Sequence, residues 1–260
     1  MPVPSSWDVL SGADSGPVVL GADFPVRRRA EAGFGDLASR IGGRYRFLQT
    51  RPPAAEPAAY VSSWVEGIRQ ARPPVLAVLG YRIGGVYAAA IAEGIAQWQP
   101  MPKVILFDPQ FTSAELLCLE FQREISANSS LLGDDEIERA RKVVMEISAN
   151  PSGDVVDVAA EMIGSYLETV TPAFERAGLG GARGEASTRA FESYISWLSA
   201  ADLIDPRAAW KGSTGIASSG YASLPGPGPV GRMIPFDVGH ADLLRSEPVA
   251  RAVLDLLESR

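Results

Sequence analysis

The sequence has little of several residue types, and each scarcity excludes a class of protein. Its 260 residues include one cysteine and one histidine, which excludes an internal disulfide, a thiolate metal cluster and a multi-histidine metal site. No apolar run reaches the roughly 18 residues that a membrane-spanning helix needs. The N-terminus also lacks the basic stretch followed by an apolar one that is typical of a secretory signal. We therefore expect a soluble, cytoplasmic protein that binds no metal, no other cofactor and no membrane.

Positive charge is also in short supply. The formal net charge is −7 and the sequence pI is about 4.9, so no chain-wide attraction to nucleic acid is expected. An anionic partner would need a local basic patch, and Arg27, Arg28 and Arg29 form one candidate. The alternative is that these three arginines lie in a solvated loop. The chain's single histidine, His240, is informative because histidine is the residue type used most often for proton transfer by enzymes.

Short apolar segments alternate with helical patterns through much of the chain, and hydrophobic residues make up 46% of it. Val75–Gly80 and Val104–Phe107 are continuous apolar runs, as expected of strands that are buried on both faces. Alternation of such strands with helices predicts an α/β fold with a mostly parallel sheet flanked by helices. The predicted strands are Pro17–Gly21, Tyr45–Gln49, Val75–Gly80, Val104–Phe107, Gly215–Ser218 and Met233–Val238. The predicted helices are Gly35–Arg40, Ala58–Gln70, Val86–Trp98 and a last one through Leu257.

The middle of the chain has a different character. Helical patterns dominate there, with interruptions predicted at Gly133-Asp134, Asn150-Pro151, Thr171-Pro172 and Gly178–Gly184. A helical insertion after a strand of an α/β core is typical of a cap or lid. We predict an N-terminal segment at 1–16, a core formed by 17–112 and 203–260, and a helical lid at 113–202.

One pentapeptide has the frame of a catalytic turn. Gly80-Tyr81-Arg82-Ile83-Gly84 matches the nucleophile elbow G-x-S-x-G, except that Arg82 stands where serine belongs. A buried strand precedes it and a helix follows it, which is the context the motif requires. Asp108 ends the next strand, and His240 follows the last one. The order of nucleophile, acid and histidine is the one expected of this kind of site, and catalytic groups of α/β sheets gather at the carboxyl ends of strands.

These motifs resemble the thioesterase domains of polyketide synthases and nonribosomal peptide synthetases. The residues that carry the resemblance are Gly80–Gly85, Phe107-Asp108 and Val238–Leu244. The resemblance implies an α/β-hydrolase fold, a helical lid over an acyl pocket, and an acyl or polyketide intermediate delivered on a phosphopantetheinyl carrier protein. It places Asp108, His240 and Arg82 in the catalytic positions, and Ile83, Tyr81, Ala22 and Asp23 around the substrate and oxyanion. The loop Ala22–Arg29 departs from the family's proline- and glycine-containing segment, and its arginines become a candidate contact for phosphopantetheine or the carrier.

Arginine changes the chemistry of the elbow. A guanidinium carries only hydrogen-bond donors and stays charged, so it is neither a nucleophile nor a general base. It also lies at a helix N-terminus, where a cation is disfavoured, and a buried cation needs an anionic partner. In one alternative that partner is Asp108, and the site is inert. In the other, Arg82 faces a ligand carboxylate or phosphate, with help from Arg27–Arg29, and Asp108 and His240 remain an acid/base pair.

Three functions follow from these alternatives. The protein is an enzyme of natural-product biosynthesis that acts non-covalently, in a cyclisation, isomerisation or elimination with His240 and Asp108 as acid and base. Alternatively, it is an inactive pseudo-thioesterase that binds an intermediate or a carrier protein. The third is a hydrolase in which His240 activates water directly. Cys118, in an apolar helical stretch, is expected in the core rather than as a substitute nucleophile.

Overall fold

A computed structural model of the protein describes residues 4–12, 16–24, 31–52, 56–149 and 153–259. The chain divides into two compact units. The first comprises Met1–Phe111 and Ile204–Arg260, and the second is Thr112–Leu203. No helix within the described ranges is long and apolar enough to cross a membrane.

The first unit is built on a seven-stranded sheet in the order β1-β3-β2-β4-β5-β6-β7. All neighbouring strands are parallel except β1 and β3, which are antiparallel. The strands are β1 (Trp7–Ser11), β2 (Val18–Ala22), β3 (Arg46–Thr50), β4 (Val75–Tyr81), β5 (Lys103–Phe107), β6 (Thr214–Ala217) and β7 (Arg232–Pro235). The helices of this unit are α1 (Phe34–Ile41), α2 (Tyr60–Ala71), α3 (Gly84–Ile95), α8 (Arg207–Lys211) and α9 (Glu247–Glu258).

The central strands explain the parallel arrangement. Every residue of β2 is buried, and β4 is buried except at Leu76. Strands without a polar face require helices on both sides of the sheet. α1 and α9 contribute to one hydrophobic cluster against the sheet, with Phe34 packing edge-on against Phe107. The parallel sheet flanked by helices, predicted from the apolar runs, is confirmed.

The sheet begins earlier than the sequence indicated, because β1 precedes the predicted first strand at Pro17. Trp7 is buried and its Nε1 donates to the carbonyl of Trp64 at 3.1 Å, whereas Val9 is about half exposed. β1 is therefore a short edge strand with one strong anchor, and its five residues carry too little apolar patterning to be recognised.

The second unit is helical throughout its described secondary structure, with α4 (Ala114–Ala127), α5 (Asp134–Ala149), α6 (Val155–Arg176) and α7 (Ala182–Ala200). The break at Gly133-Asp134 separates α4 from α5, while Asn150 and Pro151 lie outside the described residues. The predicted interruption at Thr171-Pro172 is wrong, because α6 continues through Pro172. Buried residues on either side of it hold the helix, and Tyr166 of α6 stacks on Phe191 of α7 with ring centroids 4.0 Å apart. The role of this unit as a lid stays a prediction.

Candidate functional site

The turn between β4 and α3 has the backbone geometry of a nucleophile elbow with arginine at its tip. Arg82 has a φ of 52°, in the left-handed region that non-glycine residues rarely adopt. Its amide donates to the carbonyl of Phe107 at 2.8 Å, which ties the turn to the end of β5. The helix then starts at once, with Gly85 donating to the carbonyl of Arg82. The elbow conformation is therefore retained although the serine is absent.

Two glycines permit this turn by close packing. A Cβ on Gly84 would lie 1.9 Å from the carbonyl oxygen of Ala22, and one on Gly80 would lie 2.4 Å from the Cα of Gly85. Both distances are too short for any side chain. The glycines of the motif thus bring α3 against the end of β2, and Ala22 and Asp23 lie beside the start of the helix.

Asp108 and His240 form a close pair at the carboxyl edge of the sheet. Nδ1 of His240 lies 2.5 Å from Oδ2 of Asp108, and the Ser218 amide donates to Oδ1 of Asp108 at 2.7 Å. Asp108 is fully buried and has a φ of 43°. A carboxylate at this distance fixes the imidazole with its proton on Nδ1, which leaves Nε2 as the nitrogen that can accept a proton. The two residues singled out at the ends of the predicted strands do lie together.

Arg82 has a different partner from the one expected in the first alternative. Its Nε donates to Oε1 of Gln110 at 2.8 Å, and the Nε2 of Gln110 donates to the carbonyl of Pro225 at 2.6 Å. Among the described residues, no ion pair joins Arg82 to Asp108, whose two oxygens face His240 and Ser218. The Arg82–Asp108 salt bridge is therefore wrong, for the physical reason that the imidazole already occupies the carboxylate.

The other face of His240 contacts a tyrosine and a second carboxylate. The Tyr81 hydroxyl lies 3.0 Å from Nε2 of His240, and the two rings stack with their planes 14° apart. Oε2 of Glu31 lies 3.7 Å from the same nitrogen and 3.5 Å from the Tyr81 hydroxyl. Sequence reasoning placed Tyr81 near the substrate but missed Glu31. No motif marks Glu31, since it lies in a loop and reaches the site only through the fold.

The backbone amides predicted to bind an oxyanion differ in whether they already have a hydrogen-bond acceptor. The first hydrogen bonds of the elbow are donated by Gly85 and Val86, so the Ile83 amide remains the candidate donor at the turn. On the β2 side, the Asp23 amide donates to Oγ1 of Thr50 at 3.1 Å, and the Phe24 amide donates to Oδ1 of Asp23 at 2.9 Å. The amides of Asp23 and Phe24 thus already donate to oxygen atoms of the protein. This arrangement is a poor match to a two-amide oxyanion hole.

The other residues singled out in the sequence are three arginines and the single cysteine. Arg27, Arg28 and Arg29 lie outside the described residues, so their anion-binding role stays a prediction. Cys118 is buried in α4, and burial raises the pKa of its thiol, which keeps the sulfur protonated at neutral pH. Within the described part of the chain, no group of three or more His, Cys, Asp or Glu side chains is arranged to hold a metal ion.

Comparison with known proteins identifies the fold. No family model matches the sequence, and no curated protein matches it. Among solved structures, the Vlm2 thioesterase domain bound with a dodecadepsipeptide is similar, with a TM-score of 0.51, 13% identity, and coverage of 98% of this chain and 97% of that one. The NocB thioesterase domain, in covalent complex with a fluorophosphonate nocardicin G analogue, is similar with a TM-score of 0.51 and 16% identity, and the match covers 95% of this chain and 96% of that one. MenH from S. aureus is similar with a TM-score of 0.50 and 10% identity, and the match covers 98% of each chain. The chain therefore has the α/β-hydrolase fold, with thioesterase domains among its structural neighbours.

Proposed function

We propose that the protein belongs to natural-product biosynthesis and acts on an acyl or polyketide-type thioester without forming an acyl-enzyme. His240, paired with Asp108, is the acid and base of a cyclisation, isomerisation or elimination. The observation that carries this proposal is the 2.5 Å contact between Nδ1 of His240 and Oδ2 of Asp108, kept intact beside an elbow that carries arginine. The carrier protein that delivers the intermediate is part of the same proposal.

The charges of the site support proton transfer next to a thioester. An acid/base pair can remove a proton from the carbon beside the carbonyl, and the electron pair of that C–H bond then forms an enolate. Arg82 supplies positive charge and donors at the position where an acyl oxygen or an anionic group of the intermediate would lie. The enolate is then reprotonated, cyclises, or expels a leaving group from the next carbon. None of these steps requires a nucleophilic side chain.

Hydrolysis by water is less well supported. It needs two donors for the developing oxyanion, and the amides of Asp23 and Phe24 are engaged by Thr50 and Asp23. Binding without catalysis is the other competing function. It would explain why Nε2 of His240 already has the Tyr81 hydroxyl as a neighbour.

The test follows two signals from one acyl N-acetylcysteamine thioester in D₂O, thiol release and deuterium uptake at the carbon beside the carbonyl. We expect the native protein to catalyse deuterium uptake without thiol release. Arg82→Ser should gain slow thiol release, since it restores a hydroxyl at the elbow while the Ile83 amide is the one oxyanion donor that remains available. His240→Gln should lose deuterium uptake by about 100-fold or more.

Arg69→Ser is the matched control, because Arg69 is exposed on α2 and pairs with Glu66, and it should behave as the native protein. If the native protein releases thiol as fast as Arg82→Ser, the non-covalent proposal fails in favour of hydrolysis. If His240→Gln and the native protein bind the thioester equally and neither exchanges deuterium, the binding function is correct.

A further inference from the structure

We infer that Glu31 acts together with Asp108 and His240 as an acid and base that exchanges protons with the substrate. It would be the group that reacts directly with the substrate, as the nucleophile is in a hydrolase of this fold. This inference deepens the proposed function and rests on it. The inference rests on what surrounds Nε2 of His240. Nε2 of His240 lies 3.0 Å from the Tyr81 hydroxyl and 3.7 Å from Oε2 of Glu31.

The position of Glu31 is fixed by the backbone. The Ala32 amide donates to the carbonyl of Ala241 at 2.8 Å, and Ala32 is buried. This bond ties the residue after Glu31 to the residue after His240. The carboxylate is thus delivered to the imidazole by a main-chain contact between the two loops, in addition to its own side-chain contacts.

Tyr81 can connect the two titratable groups but cannot itself meet a ligand. Its exposed fraction is 1%, and its hydroxyl lies 3.5 Å from Oε2 of Glu31. When His240 is neutral with its proton on Nδ1, Nε2 is an acceptor and the Tyr81 hydroxyl donates to it. When His240 is protonated, Nε2 donates to the phenolic oxygen, and the hydroxyl proton can point to Oε2 of Glu31 at 3.5 Å or to the carbonyl oxygen of His240 at 3.4 Å. A proton can therefore pass between Nε2 and Glu31 through the phenol.

Exposure decides which end of this chain faces the substrate. The Asp108 side chain is fully buried, whereas those of His240 and Glu31 are 18% and 19% exposed. Asp108 is therefore the fixed inner carboxylate, and Glu31 is the outer one. The substrate class that suits an outer carboxylate is an acyl thioester with a removable proton beside its carbonyl.

The proposed step balances within the site. The Glu31 carboxylate takes the proton from the carbon beside the thioester carbonyl, and the C–H electron pair becomes the enolate. The proton then moves through the Tyr81 hydroxyl to Nε2, while Nδ1 remains bonded to Asp108. It returns by the same path to carbon, or to a leaving group on the neighbouring carbon. No oxidant or added reactant is needed.

The first experiment compares Glu31→Gln, Glu31→Asp and His240→Gln with the native protein, using deuterium uptake by hexanoyl N-acetylcysteamine in D₂O. We expect Glu31→Gln to lose about 100-fold or more in rate, as for removal of a general base, and Glu31→Asp to recover part of it. Glu66→Gln, which removes an exposed carboxylate paired with Arg69, should match the native rate. An active Glu31→Gln beside an inactive His240→Gln would overturn this inference and leave the proposed function standing. Loss in neither variant would overturn both.

The second experiment does not depend on activity or on the choice of thioester. Because the chain has one histidine, labelling with ¹⁵N-histidine gives one pair of imidazole signals, Nδ1 and Nε2 of His240. We expect Glu31→Gln and Tyr81→Phe each to shift the Nε2 signal, whereas Glu66→Gln shifts neither. An Nε2 signal that is unchanged in Glu31→Gln would overturn the inference, and folding of each variant is read from the same spectra.

Discussion

The guanidinium of Arg82 is held by a buried glutamine, since its Nε donates to Oε1 of Gln110 at 2.8 Å. The orientation of that amide is set from the other side, where its Nε2 donates to the carbonyl of Pro225 at 2.6 Å. Gln110 is fully buried. The carbonyl of Pro225 therefore helps to position Arg82 through Gln110. This arrangement requires no ion pair between Arg82 and Asp108.

Replacing Gln110 with methionine keeps the shape of the side chain and removes both hydrogen bonds. We expect a loss of about 1–3 kcal/mol in the free energy of unfolding, because the partly buried Arg82 side chain and Pro225 carbonyl lose their hydrogen-bond partner. Urea denaturation at neutral pH measures this. Gln97→Met is the control, since Gln97 is exposed on the turn after α3, and it should change stability by less than about 0.5 kcal/mol. Equal losses in both variants would contradict the positioning role of Gln110.

Asp108→Asn tests the dyad without a change of shape. The asparagine amide would set a donor against either Nδ1–H of His240 or the amide of Ser218, both of which now donate to the carboxylate. We expect stability to fall by about 1–3 kcal/mol and the rate of proton exchange to fall by about 100-fold or more. Asp242→Asn, an exposed change in the turn after His240, should leave both unchanged. Native activity in Asp108→Asn would show that the imidazole needs no orienting carboxylate.

Two glycine-to-alanine changes should have opposite effects. In Gly84→Ala the new Cβ meets the carbonyl oxygen of Ala22 at 1.9 Å, so we expect destabilisation of at least about 1–3 kcal/mol from overpacking. Gly164 lies inside α6 with nothing within 4 Å of its Cβ position. Gly164→Ala should stabilise by about 0.5–1 kcal/mol, as alanine is the better helix former. Thermal or urea denaturation gives both signs, and a tolerated Gly84→Ala would mean that the elbow can move away from β2.

The Tyr221 hydroxyl predicts a dependence of stability on alkaline pH. Its oxygen lies 2.9 Å from the carbonyl oxygens of both Pro109 and Gly228, and its single proton is shared between these acceptors. Burial raises its pKa to about 12 from the ordinary value of 10.0. The folded protein therefore holds this proton more tightly than the unfolded chain does. The stabilisation is complete below about pH 10 and is lost as the pH rises to about 12.

We expect the difference in free energy of unfolding between the native protein and Tyr221→Phe to shrink across that range. Urea denaturation at a series of pH values measures the difference directly. A difference that stays constant from neutral pH to about pH 12 would contradict the assignment.

The sequence predicted those parts of the site that depend on one local pattern. Buried strands need continuous apolar runs, and the elbow needs Gly80 and Gly84, so both leave clear marks. Asp108 and His240 could be placed because each follows a strand directly.

Glu31 and Gln110 were missed because their roles depend on contacts with residues far along the chain. Nothing in the local sequence distinguishes them from loop polar residues. Pro172 was misjudged for a related reason. Local propensity disfavours proline inside a helix, but the packing of α6 against α7, which the sequence does not display, overrides it.

The left-handed backbone at Arg82 has a consequence for how such sites change over time. A non-glycine residue in that conformation costs free energy, and the fold maintains it through Gly84, Gly80 and the bond from Arg82 to Phe107. These supports are a main-chain hydrogen bond and the close packing of two glycines, so they act on the backbone of position 82. The backbone conformation of the elbow can therefore be kept with different side chains at position 82. A nucleophile could be replaced by a cation during evolution, or the reverse, without a change in the surrounding fold.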